Sequence, residues 1–338
     1  MVKYIIDSEV SEEIQEIINS GFIENNDTVI ICCPTHVFQS EFKKFSVYTY
    51  TTCRYRLLNK IKQFSYLFYL MVKFRPDVIF SGYPLLKHRI TSLLSLGRVK
   101  HYSYLRGLFA DPKNYKGFSD FLYLKLLNYP KLLKICNFQC DRIFTVSKIN
   151  VDFLIARGVL PLLITLIPPP WLKLIKKRRE DNLDCAGGKG YIYFVTQAFS
   201  SHSFKDAAAS QIKFALKIKG YLDADCIDLI IRKHPRDYTN YEGLGFFVNK
   251  VSSYDFISSL NVNDILISPF STLAAEASYF GIRVIFYSSL ELDNIYSKIY
   301  ERLGIKPFYK AEDVCNEITL FQSDNNYGPD LKEIFFND

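Results

Sequence analysis

No uninterrupted run of about 20 apolar residues, the length that crosses a bilayer, occurs in this 338-residue chain. The stretch Leu160 to Leu172 is broken by four prolines, and Phe64 to Val72 is closed in by Lys62 and Lys73. The opening MVKYIIDSEVSEE turns acidic by Asp7, unlike a secretory signal. The eight cysteines form no C-x-x-C pair, and Cys33 with His36 has no second pair to complete a zinc site. Reduced thiols in a cytoplasmic enzyme are expected. The glycine loops that cradle phosphates, G-x-G-x-x-G and G-x-x-x-x-G-K-[ST], are missing as well. These absences leave a globular protein with no sequence sign of a bound cofactor or metal.

What is present is apolar bulk and an uneven charge. Half the residues are hydrophobic (49%) and 16% are aromatic, enough for two domains with a core each. The net charge of +7 gathers over Phe42 to Arg106 and Leu172 to Arg179, where Lys and Arg alternate with Phe, Tyr and Leu. No nucleic-acid-binding motif accompanies these stretches. They suit an anionic membrane surface, and equally a solvated basic face.

Short β-branched runs alternate with helical patterns along the whole chain, the signature of an α/β protein. Strands are expected at Val2–Ile6, Thr28–Cys32, Val78–Ser81, His101–Leu105 and Arg142–Val146. Helices are expected at Glu12–Ser20, Leu57–Phe74 and Lys148–Arg157, the last capped by Ser147 and Gly158. The prolines of Leu163–Pro170 end the first sheet. A second series follows: strands Tyr191–Thr196, Cys226–Ile231, Asp264–Ile267 and Val284–Tyr287, with helices Asp206–Lys219, Tyr254–Leu260 and Thr272–Phe280. The expected organisation is an acceptor-side Rossmann-like domain over 1–172, a linker over 173–189 and a nucleotide-binding Rossmann-like domain over 190–323. A tail over 324–338 is expected to pack back on the first domain.

Two clusters carry the chemistry. Arg232-Lys233-His234-Pro235-Arg236 follows a strand, at the sheet edge where open α/β folds bind ligands. Cations and an imidazole there make an anion site, and His is suited to protonate a leaving phosphate. Ser268-Pro269-Phe270-Ser271-Thr272 follows the next strand and opens a helix, as phosphate sites do. One turn on, Glu276 is placed to meet ribose hydroxyls. The plainer reading makes Ser271 an N-cap and Glu276 a carboxylate near the helix start. Gln197, at the end of a third strand, is a further donor contact.

The KHP and SPFST segments, followed by LAAEASYFGIRVIFY, resemble the HP and Ser-Ser/Thr motifs of bacterial sialyltransferases and related CMP-sugar (nonulosonate, Kdo) transferases. The resemblance covers about Tyr191 to Tyr287. It implies a GT-B fold, two Rossmann-like domains facing a cleft. It also implies metal-independent, inverting transfer of a sialic-acid-type sugar from a CMP-sugar donor to a hydroxyl of a bacterial surface glycan. Carried over by position, His234 protonates the departing phosphate, Ser271 and Thr272 bind it, and Lys233 and Pro235 meet the nucleotide. The glycan acceptor is expected to be lipid-linked, at the inner face of the cell membrane.

The family's acidic-acidic-Gly motif, which supplies the general base, is missing. After strand His101–Leu105 the nearest carboxylate is Asp111, which also reads as a turn residue before Pro112. Asp7 and Glu9 are the second choice. Arg106, in the same loop as Asp111, and Arg236 are possible substrate contacts. Asp223-Ala224-Asp225 resembles the metal-binding pair of GT-A enzymes but precedes a strand instead of leaving one. Two rival readings share the layout: a polyol-phosphate transferase using a CDP-polyol, and a GT-B nucleotide-sugar 2-epimerase. The epimerases place glycines before the helix where this chain has Pro269 and Phe270.

Overall fold

A computed structural model describes residues 1–52, 56–82, 86–107, 140–156, 159–181, 190–199, 204–224 and 227–323. Among these, the residues up to Trp171 form one compact unit and those from Leu172 onward form another.

The first unit is a seven-stranded sheet in which every neighbouring pair is parallel. Its strands are β1 (Lys3–Asp7), β2 (Thr28–Pro34), β3 (Ser46–Tyr50), β4 (Val78–Ser81), β5 (Lys100–Leu105), β6 (Arg142–Thr145) and β7 (Ile164–Leu166). The spatial order is β3-β2-β1-β4-β5-β6-β7. The central strands carry buried runs such as Ile5-Ile6, Val29 to Cys33 and Ile79-Phe80. A parallel sheet is covered on both faces, so its strands are apolar throughout instead of alternating. The described helices of this unit are α1 (Ser11–Asn19), α2 (Arg56–Phe74), α3 (Leu86–Leu94) and α4 (Lys148–Ala156). Helix α2 stops at Phe74 because Pro76 disfavours helical backbone at Arg75, which adopts φ 49°. Ser147 Oγ accepts the Ile149 N–H at the start of α4, while Gly158 lies outside the described residues.

Helix α5 (Pro170–Asp181) occupies the first part of the stretch expected as a linker, and its remainder lies outside the described residues. Arg178 pairs with Asp255, and Arg179 donates to the Ile257 carbonyl at 3.1 Å. These contacts tie α5 into the second unit. The expected tail over 324–338 also lies outside the described residues.

The second unit holds β8 (Ile192–Val195), β9 (Leu229–Arg232), β10 (Phe247–Asn249), β11 (Ile265–Ser268) and β12 (Arg283–Phe286). All pairs are parallel, in the order β10-β9-β8-β11-β12. The helices are α6 (Lys205–Ala224), α7 (Ser253–Ser259), α8 (Thr272–Tyr279), α9 (Leu290–Leu303) and α10 (Ala311–Ser323). Phe214 of α6 stacks on Tyr287 at 4.1 Å, joining the helical layer to the sheet. In each sheet the strand order reverses beside the first strand, between β1 and β4 and between β8 and β11. Ligands of open α/β sheets bind beyond the carboxyl ends of the strands at such a point.

Candidate functional site

Strand register brings three sequence-distant loops of the second unit to one edge. Val195 pairs with Arg232 and Ile267 with Phe194, so β8, β9 and β11 end nearly level. The loop after β9 is then fastened to the end of β8: Thr196 Oγ1 accepts the His234 N–H at 3.0 Å. The turn is closed by Asp237 N–H donating to the His234 carbonyl at 2.9 Å. Within it the Arg236 N–H donates to His234 Nδ1 at 3.1 Å. A neutral imidazole that accepts at Nδ1 carries its proton on Nε2, so the half-buried ring is set up as a donor at that nitrogen.

Behind the loop runs a buried polar chain. Gln211 of α6 accepts the Gln197 N–H at 2.7 Å and meets the Tyr241 hydroxyl at 3.1 Å, and that hydroxyl donates to Asp237. Burial first, and then Asp237, push the Tyr241 phenol well above its ordinary range, so it stays a donor. Asp237 also accepts Thr239 N–H and hydroxyl at 3.1 and 2.8 Å. Gln211, Tyr241 and Asp237 hold the His234 loop against the end of β8, and none was singled out from sequence. One signal existed: Gln211 is the polar residue in the otherwise apolar buried stripe of α6.

At the neighbouring strand end, Ser271 caps α8, its Oγ accepting the Ala274 N–H at 3.2 Å. The positive end of α8, beginning with Thr272, thus sits at the carboxyl end of β11. Phe270, in the turn, packs on Phe286, Tyr296 and Tyr300. That anchor explains how a turn lacking glycine is held in place. Ser268 and Glu276 are fully buried, and Ser268 Oγ has no hydrogen-bond partner among the described residues. Lys233 is half-buried, while Pro235 and Arg236 are exposed.

Arg232 departs from the expected cationic loop. The strand runs Leu229–Arg232 instead of Cys226–Ile231, so Arg232 is a strand residue. Its guanidinium reaches the Asn249 carbonyl at 3.4 Å and lies 5.0 Å from the Phe256 ring. The cations that remain in the loop are the half-buried Lys233 and the exposed Arg236.

The corresponding edge of the first unit is acidic. Asp7, ending β1, is enclosed by Lys87 Nζ and His88 Nε2, both 2.7 Å from its Oδ2. Burial pushes this carboxyl up, but Lys87 and the His88 hydrogen bond outweigh it and hold Asp7 well below the usual carboxylate range. A carboxylate so stabilised is a poor base for a hydroxyl. Glu9 is exposed and accepts from Gln63 at 2.7 Å. Arg106 donates to Oε1 of the fully buried Glu16 at 2.6 Å, and the Tyr104 hydroxyl bonds the other oxygen. Arg106 thus neutralises a buried carboxylate within its own unit. Asp111 lies outside the described residues. Asp223 pairs with Lys219 on the exposed end of α6, at 2.8 Å. Among the described residues no cluster of His, Cys, Asp and Glu is arranged to hold a metal ion, and no helix is long and apolar enough to cross a membrane.

No protein-family model matches the chain, and no curated protein matches it in sequence. Solved structures do match. The UDP-GlcNAc 2-epimerase of Methanocaldococcus jannaschii, in complex with UDP-GlcNAc and UDP, superposes with a TM-score of 0.62 at 14% identity, over 100% of this chain and 96% of that one. MnaA of S. aureus with UDP gives a TM-score of 0.65 at 13% identity, over 99% and 91%. A variant of the wall teichoic acid polymerase TagF soaked with CDPG gives 0.59 at 14% identity, over 98% and 82%. At this identity the likeness establishes the fold: two Rossmann-like domains of the GT-B type.

Proposed function

We propose that the chain is a transferase that binds a cytidine-nucleotide-linked donor in its second unit and releases CMP beside His234. The observation that carries this reading is the His234 ring, held against the end of β8 with Nδ1 accepting the Arg236 N–H, the tautomer that makes Nε2 a donor. The start of α8 lies at the end of β11, on the other side of β8 from the His234 loop, and favours a phosphate. A CDP-polyol and a CMP-sugar share one leaving group, so the site suits either. The structures that this fold resembles include a teichoic acid polymerase soaked with CDPG, which favours the polyol-phosphate donor over the sialic-acid-type sugar.

In the reaction, an acceptor oxygen bonds to the polyol phosphorus or to the sugar carbon. The bond from that atom to the CMP oxygen breaks. His234 donates an Nε2–H hydrogen bond to the phosphate as it departs as an anion, and a carboxylate takes the proton of the acceptor hydroxyl. Asp111 is the proposed base, since Asp7 is neutralised by Lys87 and His88. Lys233 and Arg236 offset phosphate charge; Thr272 completes the donor contacts, with Gln197 at the edge, whereas the fully buried Glu276 does not offer its carboxylate to a ribose as expected. The acceptor is a surface-glycan or polyol chain on a lipid carrier, taken by the first unit at the inner face of the membrane.

Incubation with CDP-glycerol, CMP-sialic acid and UDP-N-acetylglucosamine, with and without EDTA, tests the reading. CMP release from one cytidine donor, unchanged by EDTA, is expected. Conversion of UDP-N-acetylglucosamine to its 2-epimer, with no CMP release, would instead make the chain an epimerase.

A further inference from the structure

The outer surface of α2 is not what a helix on a solvated domain presents. Its inner face supplies Leu67, Leu70 and Met71 to the core of the first unit. The opposite ridge should be polar. Instead Leu58, Ile61, Tyr69 and Val72, at helical spacing along one line, are each more than half exposed. Helix α3 packs against α2 and adds exposed apolar residues of its own. Leu93 and Leu94 are more than half exposed, and Leu96 is 86% exposed. Leu96 also adopts φ 55°, a conformation that leucine rarely takes. A large apolar side chain is held out at the tip of a turn.

Charge identifies what meets this face. Between Glu41 and Asp111 the chain has thirteen Lys and Arg and a single acid, Asp77. Asp77 is occupied by the Lys3 N–H at 2.8 Å. Lys60, Lys62, Lys73, Arg75, Arg98 and Lys100 are all exposed on or beside α2 and the end of α3. Lys73 lies 5.5 Å from the Tyr69 ring and 5.1 Å from Tyr48, so its charge sits over aromatic surface. Cations around an apolar ridge with tyrosine at its border match an anionic lipid interface. A second copy of the chain is a poor match, because a two-fold contact through this face would set the same cations against each other. By contrast, Arg178 and Arg179 of α5 are spent on Asp255 and the Ile257 carbonyl, so that basic helix is less available.

We infer that the α2–α3 face of the first unit is a membrane-docking surface that inserts Leu94, Leu96 and Val72 among anionic lipids. This locates the membrane side of the reading above. Its test needs neither donor nor acceptor, so the two stand or fall separately.

The experiment is co-sedimentation of the full chain with vesicles of phosphatidylcholine containing about one quarter phosphatidylglycerol, a strongly anionic surface. Binding is expected, and it should weaken as salt rises and be far weaker with phosphatidylcholine alone. Lys60→Gln and Arg98→Gln should each lower the partition coefficient about fivefold, the ratio that ~1 kcal/mol per cation represents. Leu94→Ser with Leu96→Asn should lower it at least about tenfold through lost insertion. Asn tolerates the left-handed backbone at position 96, so this variant should melt no lower than the parent. Vesicle binding by the double variant equal to the parent's would overturn the inference, as would equal binding of the parent to neutral vesicles. A parent that is dimeric, ignores vesicles and becomes monomeric in the double variant would assign the face to a second copy of the chain.

Discussion

If the His234 Nε2–H stabilises the departing CMP phosphate, its replacement must remove that donor without removing the loop. The geometry lets the two be separated. Nδ1 accepts the Arg236 N–H, which makes Nε2 the donor nitrogen of the neutral ring. In His234→Asn the amide oxygen takes the place of Nδ1, so the turn bond survives while the Nε2 proton is gone. His234→Ala loses both, but Arg236 is exposed and its N–H can turn to water, so the structural cost stays near 1 kcal/mol. The loop keeps its other ties: Thr196 Oγ1 to the His234 N–H, and Asp237 to Thr239 and Tyr241. Loss of one such donor to developing phosphate charge is worth about 10²–10³ in rate, or roughly 3–4 kcal/mol of barrier. Both variants should therefore fall by that range in kcat, measured as CMP release at saturating donor. Donor affinity by calorimetry should change by less than about tenfold, since most binding contacts remain. Turnover of His234→Asn within about threefold of the parent would refute the argument, because no donor would remain at the Nε2 position.

Three further outcomes follow from named contacts. Ser271→Ala should cost about 1 kcal/mol of stability by removing the cap of the Ala274 N–H. Ser271→Asp should keep the cap yet weaken donor binding, because a carboxylate there repels phosphate; equal donor affinity in both variants would take the phosphate away from α8. Asp111→Asn should abolish transfer with donor binding nearly unchanged, whereas loss of activity only in Glu9→Gln would move the base to the loop after β1. Burial holds the His88 imidazole below its ordinary value despite Asp7, and Asp7 itself is held low, so both bind fewer protons folded than unfolded. Stability should fall as pH drops through about 6.5, where the unfolded histidine takes a proton, and again below about 4 with the aspartate. Urea melts followed by emission of the single, buried Trp171 would show it, and His88→Gln should remove the first step. Unchanged stability between pH 7.5 and 5.5, roughly the window set by that histidine, would refute the assignment.

Local signals in the sequence determined much of this protein. Strands β1, β2 and β4 were legible because central strands of a parallel sheet are buried on both faces and read as apolar runs, and β5 and β6 because aromatic and β-branched residues favour strands. The cap at Ser271 and the stop before Pro76 were legible because they depend on one or two adjacent residues. Two of the edge strands were not: β3 (SVYTY) and β10 (FVN) carry exposed positions and little apolar content. Helices α3, α9 and α10 also went unread, α3 because its buried side carries His88 and Thr91 where a helix normally shows apolar residues.

The site divides the same way. His234 and Ser271 could be placed from sequence because each follows its strand directly, and strand ends are where open sheets bind ligands. The placement of Arg232 was decided by register, since pairing with Val195 and Asn249 extends β9 by one residue and turns its side chain onto Phe256. The fates of Asp7 and Arg106 were decided at longer range. Asp7 meets Lys87 and His88 some 80 positions away, and Arg106 meets Glu16 across 90. Periodicity and spacing report only a residue's neighbours along the chain. Which charges are buried together depends on the crossover that lays β4 beside β1, and that contact exists only once the sheet has assembled.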